Sequence, residues 1–295
     1  VPEAKFTNLA PFAQLRYSAI PDWTFSFGGR YEYGKLKVAD FTTLASYNST
    51  FVEGGEPDFN ELLTNAGVVW QFHPNVRLYG SYSEGFSMPD VGRVLRDINT
   101  PGLSVDSFLT LQPVISDNLE LGVEFNFDNW QLRASAYRSD SDLGSRLQPD
   151  ADGIYSVMRE KTEIDGIEAE GQYYFGNANS LGFSYARTNG QFDSDNDGSV
   201  DTDLGGVNIA PERLNLYWQQ QWLPALSSRL QANILFSHTL NTAEQFNGYT
   251  TLDLSSSYDT TYGRWTLGIE NLTDKQYFTY YAQSTPAPAR YFAGI

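Results

Sequence analysis

Apolar and polar residues alternate along most of this chain. From Leu119 to Phe127, every odd position is apolar and every even position is polar or glycine. The same alternation runs from Trp23 to Gly34, from Leu214 to Trp222 and from Leu230 to Phe236. A period of two indicates a β-strand with one apolar face and one polar face. Only residues 89–98 suit a short helix, which we place inside a loop.

The pattern predicts about thirteen strands, at residues 10–19, 23–37, 64–72, 76–86, 115–127, 130–143, 157–175, 180–191, 212–222, 228–240, 248–258, 264–271 and 290–295. Their connections alternate strictly between two kinds. Short turns lie at residues 20–22, 73–75, 128–129, 176–179, 223–227 and 259–263. Long loops lie at about 40–63, 87–114, 144–156, 192–211, 241–247 and 272–289. This alternation predicts an up-and-down antiparallel sheet with two unlike ends.

Strand length separates the two all-β architectures that fit this pattern. Soluble β-sandwiches usually have strands of about five or six residues. The predicted strands are longer and match the length that a tilted strand needs to cross a bilayer. Aromatic residues gather near strand ends, where an interfacial girdle would lie: Trp23, Trp70, Tyr79, Trp130, Tyr173, Tyr174, Trp222 and Trp265. We therefore predict an all-β transmembrane, antiparallel up-and-down β-barrel, with a soluble all-β protein as the alternative.

The predicted strand count is odd, and the first and last strands run in the same direction. Antiparallel barrels of bacterial single chains close with an even number of strands. We therefore expect this sequence to be the C-terminal portion of a larger barrel, with strands before Val1 and a few residues after Ile295. Residues 1–295 would then form a single β-barrel domain.

Composition and charge mainly exclude certain classes of protein and of binding site. The chain has no cysteine, so it holds neither a disulfide nor a cysteine-ligated metal. With 36 acidic and 19 basic side chains, its net charge is −17, which argues against a nucleic-acid partner. An apolar share of 41% argues against intrinsic disorder. No apolar run is long enough for a transmembrane helix, and Val1-Pro2-Glu3 does not open a signal peptide.

Catalytic patterns are missing from the sequence. Its two histidines, His73 and His238, fall in a short turn and near a strand end, and nucleotide-binding and nucleophile motifs are absent. Glu168 and Glu170 lie two residues apart on one face of a strand. We interpret them as solvated or paired with Lys or Arg rather than as a catalytic acid/base pair. We predict that the protein is not an enzyme and has no catalytic cofactor.

One long loop carries a pattern that resembles half of a calcium-binding loop. In the segment DSDNDGSVD, acidic residues occupy calcium-loop positions 1, 3, 5 and 9, and Gly198 occupies the sharp turn at position 6. Leu204 stands where a bidentate glutamate belongs, so an acidic, hydrated loop remains the alternative. A structural Ca²⁺ would rigidify an outward loop or bridge to lipopolysaccharide phosphates. The candidate ligands are Asp193, Asp195, Asp197 and Asp201.

Ligand capture would fall to the outer loops and the upper lumen. Cationic and aromatic donors there suit an anionic ferric chelate, although ordinary loop solvation is the alternative for each one. The candidates are Tyr47, Arg93, Arg96, Tyr137, Arg138, Arg146, Tyr155, Arg159, Tyr280 and Tyr281.

Six segments, in this order, resemble the strand motifs of TonB-dependent outer-membrane receptors. They are LYGSYSEGFSMPD (78–90), NLELGVEF (118–125), IDGIEAEGQY (164–173), APERLNLYW (210–218), TLDLSSSY (251–258) and IENLTDKQYF (269–278). The resemblance implies a barrel of about 22 strands occluded by a plug, of which this chain would supply the last thirteen. No plug or TonB box is present in this sequence.

The resemblance also implies a function and a set of partners. It implies a receptor of the Gram-negative outer membrane, in contact with lipid and lipopolysaccharide, that binds and imports a ferric siderophore. Energy would come from the TonB–ExbB–ExbD complex through the missing plug. Cobalamin, haem and oligosaccharide are alternative cargoes. A passive porin of about 16 strands is a second hypothesis, against which residues 269–278 argue, and a barrel enzyme or adhesin is a third.

Overall fold

A computed structural model describes most of the chain. The described residues are 3–45, 49–88, 90–96, 98, 101–102, 104–107, 112–149, 155–176, 178–206, 208–239, 245–284 and 292–293.

Long strands dominate the described residues. The strands are β1 (Ala4–Leu9), β2 (Phe12–Tyr17), β3 (Trp23–Val38), β4 (Phe41–Thr42), β5 (Phe51–Val52), β6 (Asp58–His73), β7 (Val76–Ser87), β8 (Val114–Asn126), β9 (Trp130–Pro149), β10 (Tyr155–Phe175), β11 (Asn179–Phe192), β12 (Thr202–Asp203), β13 (Arg213–Leu223), β14 (Leu226–Leu235), β15 (His238–Thr239), β16 (Gln245–Phe246), β17 (Tyr249–Thr260), β18 (Gly263–Ile269), β19 (Tyr277–Phe278) and β20 (Phe292–Ala293). The helices are α1 (Val91–Arg96), α2 (Tyr280–Ser284) and a 3₁₀ turn at Val105–Ser107. Neither α-helix in this part of the chain has the length and apolar character needed to cross a membrane.

The long strands form one antiparallel sheet in the order β1-β3-β6-β7-β8-β9-β10-β11-β13-β14-β17-β18. Each long strand pairs with the next long strand in sequence, so the predicted up-and-down topology is confirmed. Short turns close one end of the sheet and long loops rise from the other. The sheet is therefore the wall of a partial barrel with the predicted difference between its ends.

The first strand begins earlier than the alternation predicts. β1 and β2 both pair with β3, with Ala4 opposite Val38 and Phe12 opposite Arg30. They act as one strand that is interrupted at Pro11, which has no N–H to give to the ladder. The carbonyl of Pro11 still accepts a hydrogen bond from Tyr31 N at 3.0 Å. The predicted start at residue 10 is wrong because the polar residues before Pro11 obscure the period.

The opposite end of the chain departs from the prediction as well. Of the predicted last strand, 290–295, the structure describes only β20, which pairs with β19 rather than with the main sheet. The predicted loop at 144–156 is also too long, because β9 and β10 stay paired up to Pro149 and Tyr155. Most of that segment is an extended hairpin. The short helix predicted at 89–98 is confirmed as α1.

Two faces alternate along the wall, and charged residues form a row on each. On the polar, lumen-facing side, Arg77, Glu124, Arg133 and Glu170 are successive cross-strand neighbours on β7 to β10, and we call them the lumen row. On the apolar, outward face, nearer the long loops, Glu84, Asp117, Asp140 and Glu163 are neighbours on the same strands, and we call them the outer row.

Glycines on the lumen face accommodate tyrosine rings from the adjacent strand. Tyr79 lies over Gly122, and a Cβ at that glycine would be 2.2 Å from the ring. Tyr137 lies over Gly166 and Tyr217 over Gly182 in the same way. Each ring approaches the glycine backbone closely, because glycine has no Cβ that would clash with it. These glycines keep the lumen wall smooth, and their positions recur because the tyrosine and glycine are direct cross-strand partners.

Candidate functional site

The buried apolar core of the described residues lies above the wall, at the long-loop end. Seven aliphatic side chains form this aliphatic cluster: Leu36, Val38, Val52, Val94, Leu95, Ile98 and Val105. They come from the top of β3, from the loop after it, from α1 and from the segment that follows α1. Val157 of β10 packs against the cluster from the extended hairpin. Three long loops are thus joined over one side of the barrel mouth.

Backbone hydrogen bonds and ion pairs reinforce this loop assembly. Val105 N donates to Glu53 O at 3.0 Å, and Glu56 N donates to Asp106 Oδ1 at 2.8 Å. Lys35 and Lys37 pair with the carboxylate of Glu56 at 2.6 and 2.7 Å. The hydrogen bonds from the two ammonium groups lower the pKa of Glu56 to about 2. The loop that carries Glu56 is therefore fixed by its charges as well as by the aliphatic cluster.

A second loop group is held by aromatic rings. Phe246 meets Tyr249 and Tyr280 edge-on, with ring centroids 6.2 and 5.4 Å apart. Tyr249 stacks on Tyr277 at 4.1 Å. The hydroxyl of Tyr280 donates to Ile209 O, which ties α2 to the loop before β13. This aromatic cluster joins the loops after β11, β14 and β18.

The lumen row below the mouth compensates its own charge. The carboxylate of Glu124 forms an ion pair with the guanidinium of Arg77. Its Oε1 atom also lies 3.9 Å from Arg133 Nε. Arg133 Nη1 contacts Glu170 Oε1 at 3.2 Å. Charges of opposite sign alternate along the row, so cross-strand neighbours attract each other. The row provides a polar but nearly neutral stretch of wall, which suits passage of a hydrated solute.

Four predicted ligand residues have side chains outside the described part of the chain: Tyr47, Arg93, Tyr155 and Tyr281. The structure therefore does not test those four predictions.

Arg138, another predicted ligand residue, lies on the outward face of the wall. Successive residues of a strand face opposite sides, so Tyr137 faces the lumen and Arg138 faces outward. Arg138 pairs with Asp140 at 3.0 Å and with Glu163 at 2.7 Å, both of the outer row. Its guanidinium belongs to the outer surface of the barrel rather than to the mouth.

Arg146 lies near the mouth, but its donors are taken by the protein itself. Its Nε contacts Glu160 Oε2 at 2.8 Å, and its Nη2 donates to Gln148 Oε1 at 2.7 Å. The guanidinium also lies 4.0 Å above the Phe192 ring. The side chains of Arg146 and Glu160 are only 11% and 12% exposed. This arrangement favours a structural role in the extended hairpin.

Arg159 differs from Arg146 although both lie on the same hairpin. Its Nη2 donates to Gln112 O at 2.8 Å and to Pro113 O at 3.2 Å. Its Nε and Nη1 atoms are buried and have no hydrogen-bond partner among the residues that the structure describes. Unsatisfied buried donors are rare in proteins and often mark a functional position. Within the described part of the chain, Arg159 thus has two donors left over on the strand whose Val157 packs against the aliphatic cluster.

The remaining candidates have varied surroundings. The Tyr137 hydroxyl shares a hydrogen bond of 2.8 Å with Thr188 Oγ1 in the lumen. Arg96 is the last residue of α1 and is partly buried. Tyr280 holds the aromatic cluster, as described above. The structure therefore places Tyr137, Arg96 and Arg159 near the mouth or lumen without gathering them into one pocket.

Three of the four predicted calcium ligands meet in one turn. Carboxylate oxygens of Asp193, Asp195 and Asp197 lie within 4.8 Å of one another. Asp193 is buried, and although that burial favours its neutral form, backbone N–H groups led by those of Gly198 and Asp197 lower its pKa. Gly198 has φ of 94°, which explains the glycine at the sharp turn. Asp201 is outside this group and accepts a hydrogen bond from Thr202 Oγ1 at 3.2 Å.

Sequence reasoning missed the lumen row, although the signal was present. Arg77, Arg133 and Glu124 occupy polar positions of strands whose alternation is clear. Only the register between strands makes them neighbours. The aliphatic cluster was missed for a different reason, since its members are scattered over three loops without periodicity.

Comparisons with known proteins agree with this architecture. The family model described as TonB dependent receptor-like, beta-barrel, matches residues 1–272. A ferric aerobactin receptor of Klebsiella pneumoniae is 27% identical over 97% of this chain and 41% of its own length. A rhizobactin receptor of Rhizobium meliloti strain 1021 is 24% identical over 97% of this chain and 40% of its own length. The chain thus spans about two fifths of these relatives.

Solved structures show the same fold. The copper transporter OprC matches with a TM-score of 0.78 and 18% identity, over 93% of this chain and 43% of that protein. The ferric-catecholate import receptor Fiu of E. coli matches with a TM-score of 0.71 and 17% identity, over 93% and 41%. These identities support the fold alone. The family is one of receptors rather than enzymes, and from the match over residues 1–272 this chain belongs to the TonB-dependent receptor β-barrel family.

Proposed function

We propose that this chain is the barrel portion of an outer-membrane receptor that binds and imports a ferric siderophore. The observation that carries the proposal is the mouth, where two packed loop clusters stand over a polar, charge-compensated wall. The names of the relatives support the cargo class, since they are receptors for ferric aerobactin and rhizobactin.

The partners follow from the same proposal. The cargo is an iron chelate whose anionic oxygens accept hydrogen bonds from cationic and aromatic donors. The TonB–ExbB–ExbD complex would supply energy through a plug that is not part of this sequence. The apolar outer face would contact membrane lipid and the outer leaflet lipopolysaccharide. The single barrel domain over residues 1–295 remains a prediction beyond residue 272.

Arg159 is the ligand-facing cation in this proposal, with Tyr137 and Arg96 as further contacts. Among the described residues its Nε and Nη1 have no partner, and because these N–H groups lie on different edges of the guanidinium, each can donate to a separate oxygen of an anionic chelate. The backbone carbonyls of Gln112 and Pro113 already orient its guanidinium. A small displacement of that loop segment would open the two donors to the ligand.

We also propose a structural Ca²⁺ in the turn of Asp193, Asp195 and Asp197. Three carboxylates within 4.8 Å, arranged around a glycine turn, support it. Calcium titration of the full-length receptor, with Asp195→Asn as the variant and Asp274→Asn as a control in another loop, tests this proposal. Equal calcium affinity in the wild type and Asp195→Asn would contradict it.

Iron uptake tests the main proposal. Cells that lack the gene would be compared with cells that carry the full-length gene, using radiolabelled iron on a panel of siderophores, with and without a protonophore. We expect gene-dependent uptake that the protonophore abolishes, because the energy comes from the proton-motive force. Gene-dependent flux that ignores the protonophore would indicate a passive pore. Uptake that is unchanged by the deletion would reject the siderophores tested and shift the cargo to haem, cobalamin or oligosaccharide.

A further inference from the structure

The outward face of the wall contains an apolar groove close to the short-turn end. The groove has a volume of about 570 Å³ and crosses strands β9 to β17. Its lower edge is a row of cross-strand neighbours: Trp130, Tyr173, Leu181, Trp218 and Leu230. Most of these side chains are strongly exposed, so the protein itself does not cover them.

Small residues in the next row form the floor of the groove. Gly171 lies opposite Phe183, whose ring lies so close that a Cβ at the glycine would be 2.5 Å away. Ala232 is the second small residue, opposite Leu216 on β13. The floor therefore consists of the small Ala232 side chain and the Phe183 ring that covers Gly171.

Polar donors stand along the lower edge of this hydrocarbon-lined groove. The indole N–H groups of Trp130 and Trp218 and the hydroxyl of Tyr173 line it, and none of the three hydrogen-bonds within the described residues. Aromatic residues with one polar atom prefer the level of lipid headgroups and glycerol esters. Short turns of such barrels face the periplasm, so the groove lies in the periplasmic leaflet.

We propose that this groove binds one phospholipid of the periplasmic leaflet. An acyl chain would lie over Ala232 and over the Phe183 ring that covers Gly171, and ester or phosphate oxygens would accept hydrogen bonds from the three aromatic donors. A second copy of the barrel fits less well, because an isologous contact needs a ridge on the same patch that fills the groove. A flexible acyl chain supplies that convex shape.

Retention of lipid by the purified receptor tests this inference. The full-length protein would be extracted in mild detergent, washed, and examined by native mass spectrometry for bound phospholipid. Ala232→Leu fills the floor, and Leu121→Phe makes a comparable enlargement on the exposed outer face of β8. We expect one retained phospholipid per chain in the wild type and the control. Retention should fall about tenfold in Ala232→Leu.

A second variant distinguishes a loss of lipid binding from a failure to fold. Trp130→Phe combined with Trp218→Phe keeps the aromatic edge but removes two donors, and heat-modifiable migration on gels reports whether each barrel has folded. We expect the double variant to retain less phospholipid while it folds normally. Wild-type protein without bound phospholipid, equal retention in folded Ala232→Leu, retained lipopolysaccharide instead, or a dimer that Ala232→Leu abolishes would each overturn the inference. None of these measurements depends on iron uptake, so this inference and the proposed function can fail separately.

Discussion

The lumen row and the outer row lie on the same four strands but treat charge in opposite ways. In the lumen row, arginine and glutamate alternate, and Glu124 has an arginine on each side. In the outer row, four carboxylates are direct neighbours, and Arg138 is the cation that contacts two of them. Opposite charges across strands stabilise a sheet and like charges destabilise it. One row therefore contributes to the stability of the wall, whereas the other lowers it.

Hydrogen bonds soften the repulsion in the outer row without removing its charge. The single proton of the Tyr82 hydroxyl is shared between Asp117 Oδ1, at 2.6 Å, and Glu84 Oε1, at 3.1 Å. Thr64 donates to Glu84 from both its amide and its hydroxyl. Neutral donors stabilise Glu84 and Asp117 but leave the net negative charge of the row in place. The comparison teaches that a carboxylate can accept hydrogen bonds from neutral groups and still lack a compensating positive charge.

The largest expected effect follows from breaking the lumen row at its centre. Glu124→Ala leaves Arg77 and Arg133 as neighbouring like charges and removes charge-assisted hydrogen bonds. Because the side chain of Glu124 is only 14% exposed, we expect the free energy of unfolding to fall by about 1–3 kcal/mol. Urea unfolding of the full-length barrel in lipid measures this change. Glu168→Ala, an exposed acid on the same face, is the control and should leave stability nearly unchanged.

The same contrast between compensated and uncompensated charge occurs at the mouth. Arg146 is paired with Glu160, whereas two donors of Arg159 have no partner among the described residues. We expect Arg159→Gln to weaken binding of an anionic ferric siderophore about tenfold, or 1.4 kcal/mol, because a carboxylate loses its cation. Arg146→Gln should alter thermal stability more than affinity. Titration of the purified receptor with the ferric siderophore distinguishes the two variants. Equal affinities of the wild type and Arg159→Gln would show that Arg159 does not contact the ligand.

Neutralising one acid of the outer row should stabilise the protein. In Asp117→Asn, the amide oxygen still accepts the Tyr82 hydrogen bond, but repulsion from Glu84 and Asp140 is lost. We expect a gain of about 0.2–1 kcal/mol that shrinks as added salt screens the charges. Unfolding at low and high ionic strength measures it. A loss of stability at low salt would mean that the outer row is not repulsive.

The smallest effect concerns the fully paired acid of the loop assembly. The pKa of Glu56 is lowered from 4.5 to about 2, chiefly by hydrogen bonds from Lys35 and Lys37. Because Glu56 has a lower pKa in the folded loop than in the unfolded chain, its ionised form stabilises the folded loop at pH values above the unfolded-state pKa. This stabilisation is lost as the pH falls toward 2. Solvent screens this exposed cluster, so the effect should be confined to local opening. Hydrogen exchange of residues 49–57 between pH 5 and pH 2.5 should show faster opening, corrected for intrinsic exchange, in the wild type but not in Glu56→Gln.

The sequence by itself determined the wall. Alternation with a period of two specified strand after strand, and the unlike turn and loop lengths specified the up-and-down order, because both depend on near neighbours in the chain. It also identified the short helix α1 and the turn at Asp193, whose geometry depends on residues close in sequence.

Only the tertiary structure decided which charges meet and which loops join. The lumen row depends on register between strands, which no single strand encodes. A shift of one residue moves a side chain to the opposite face, and Arg138 shows the consequence, since its neighbour Tyr137 faces the lumen. The aliphatic cluster unites Leu36, Leu95 and Val105 across long separations in sequence, where burial rather than periodicity selects the partners. Local pattern thus specifies the strands, while long-range packing assembles the mouth.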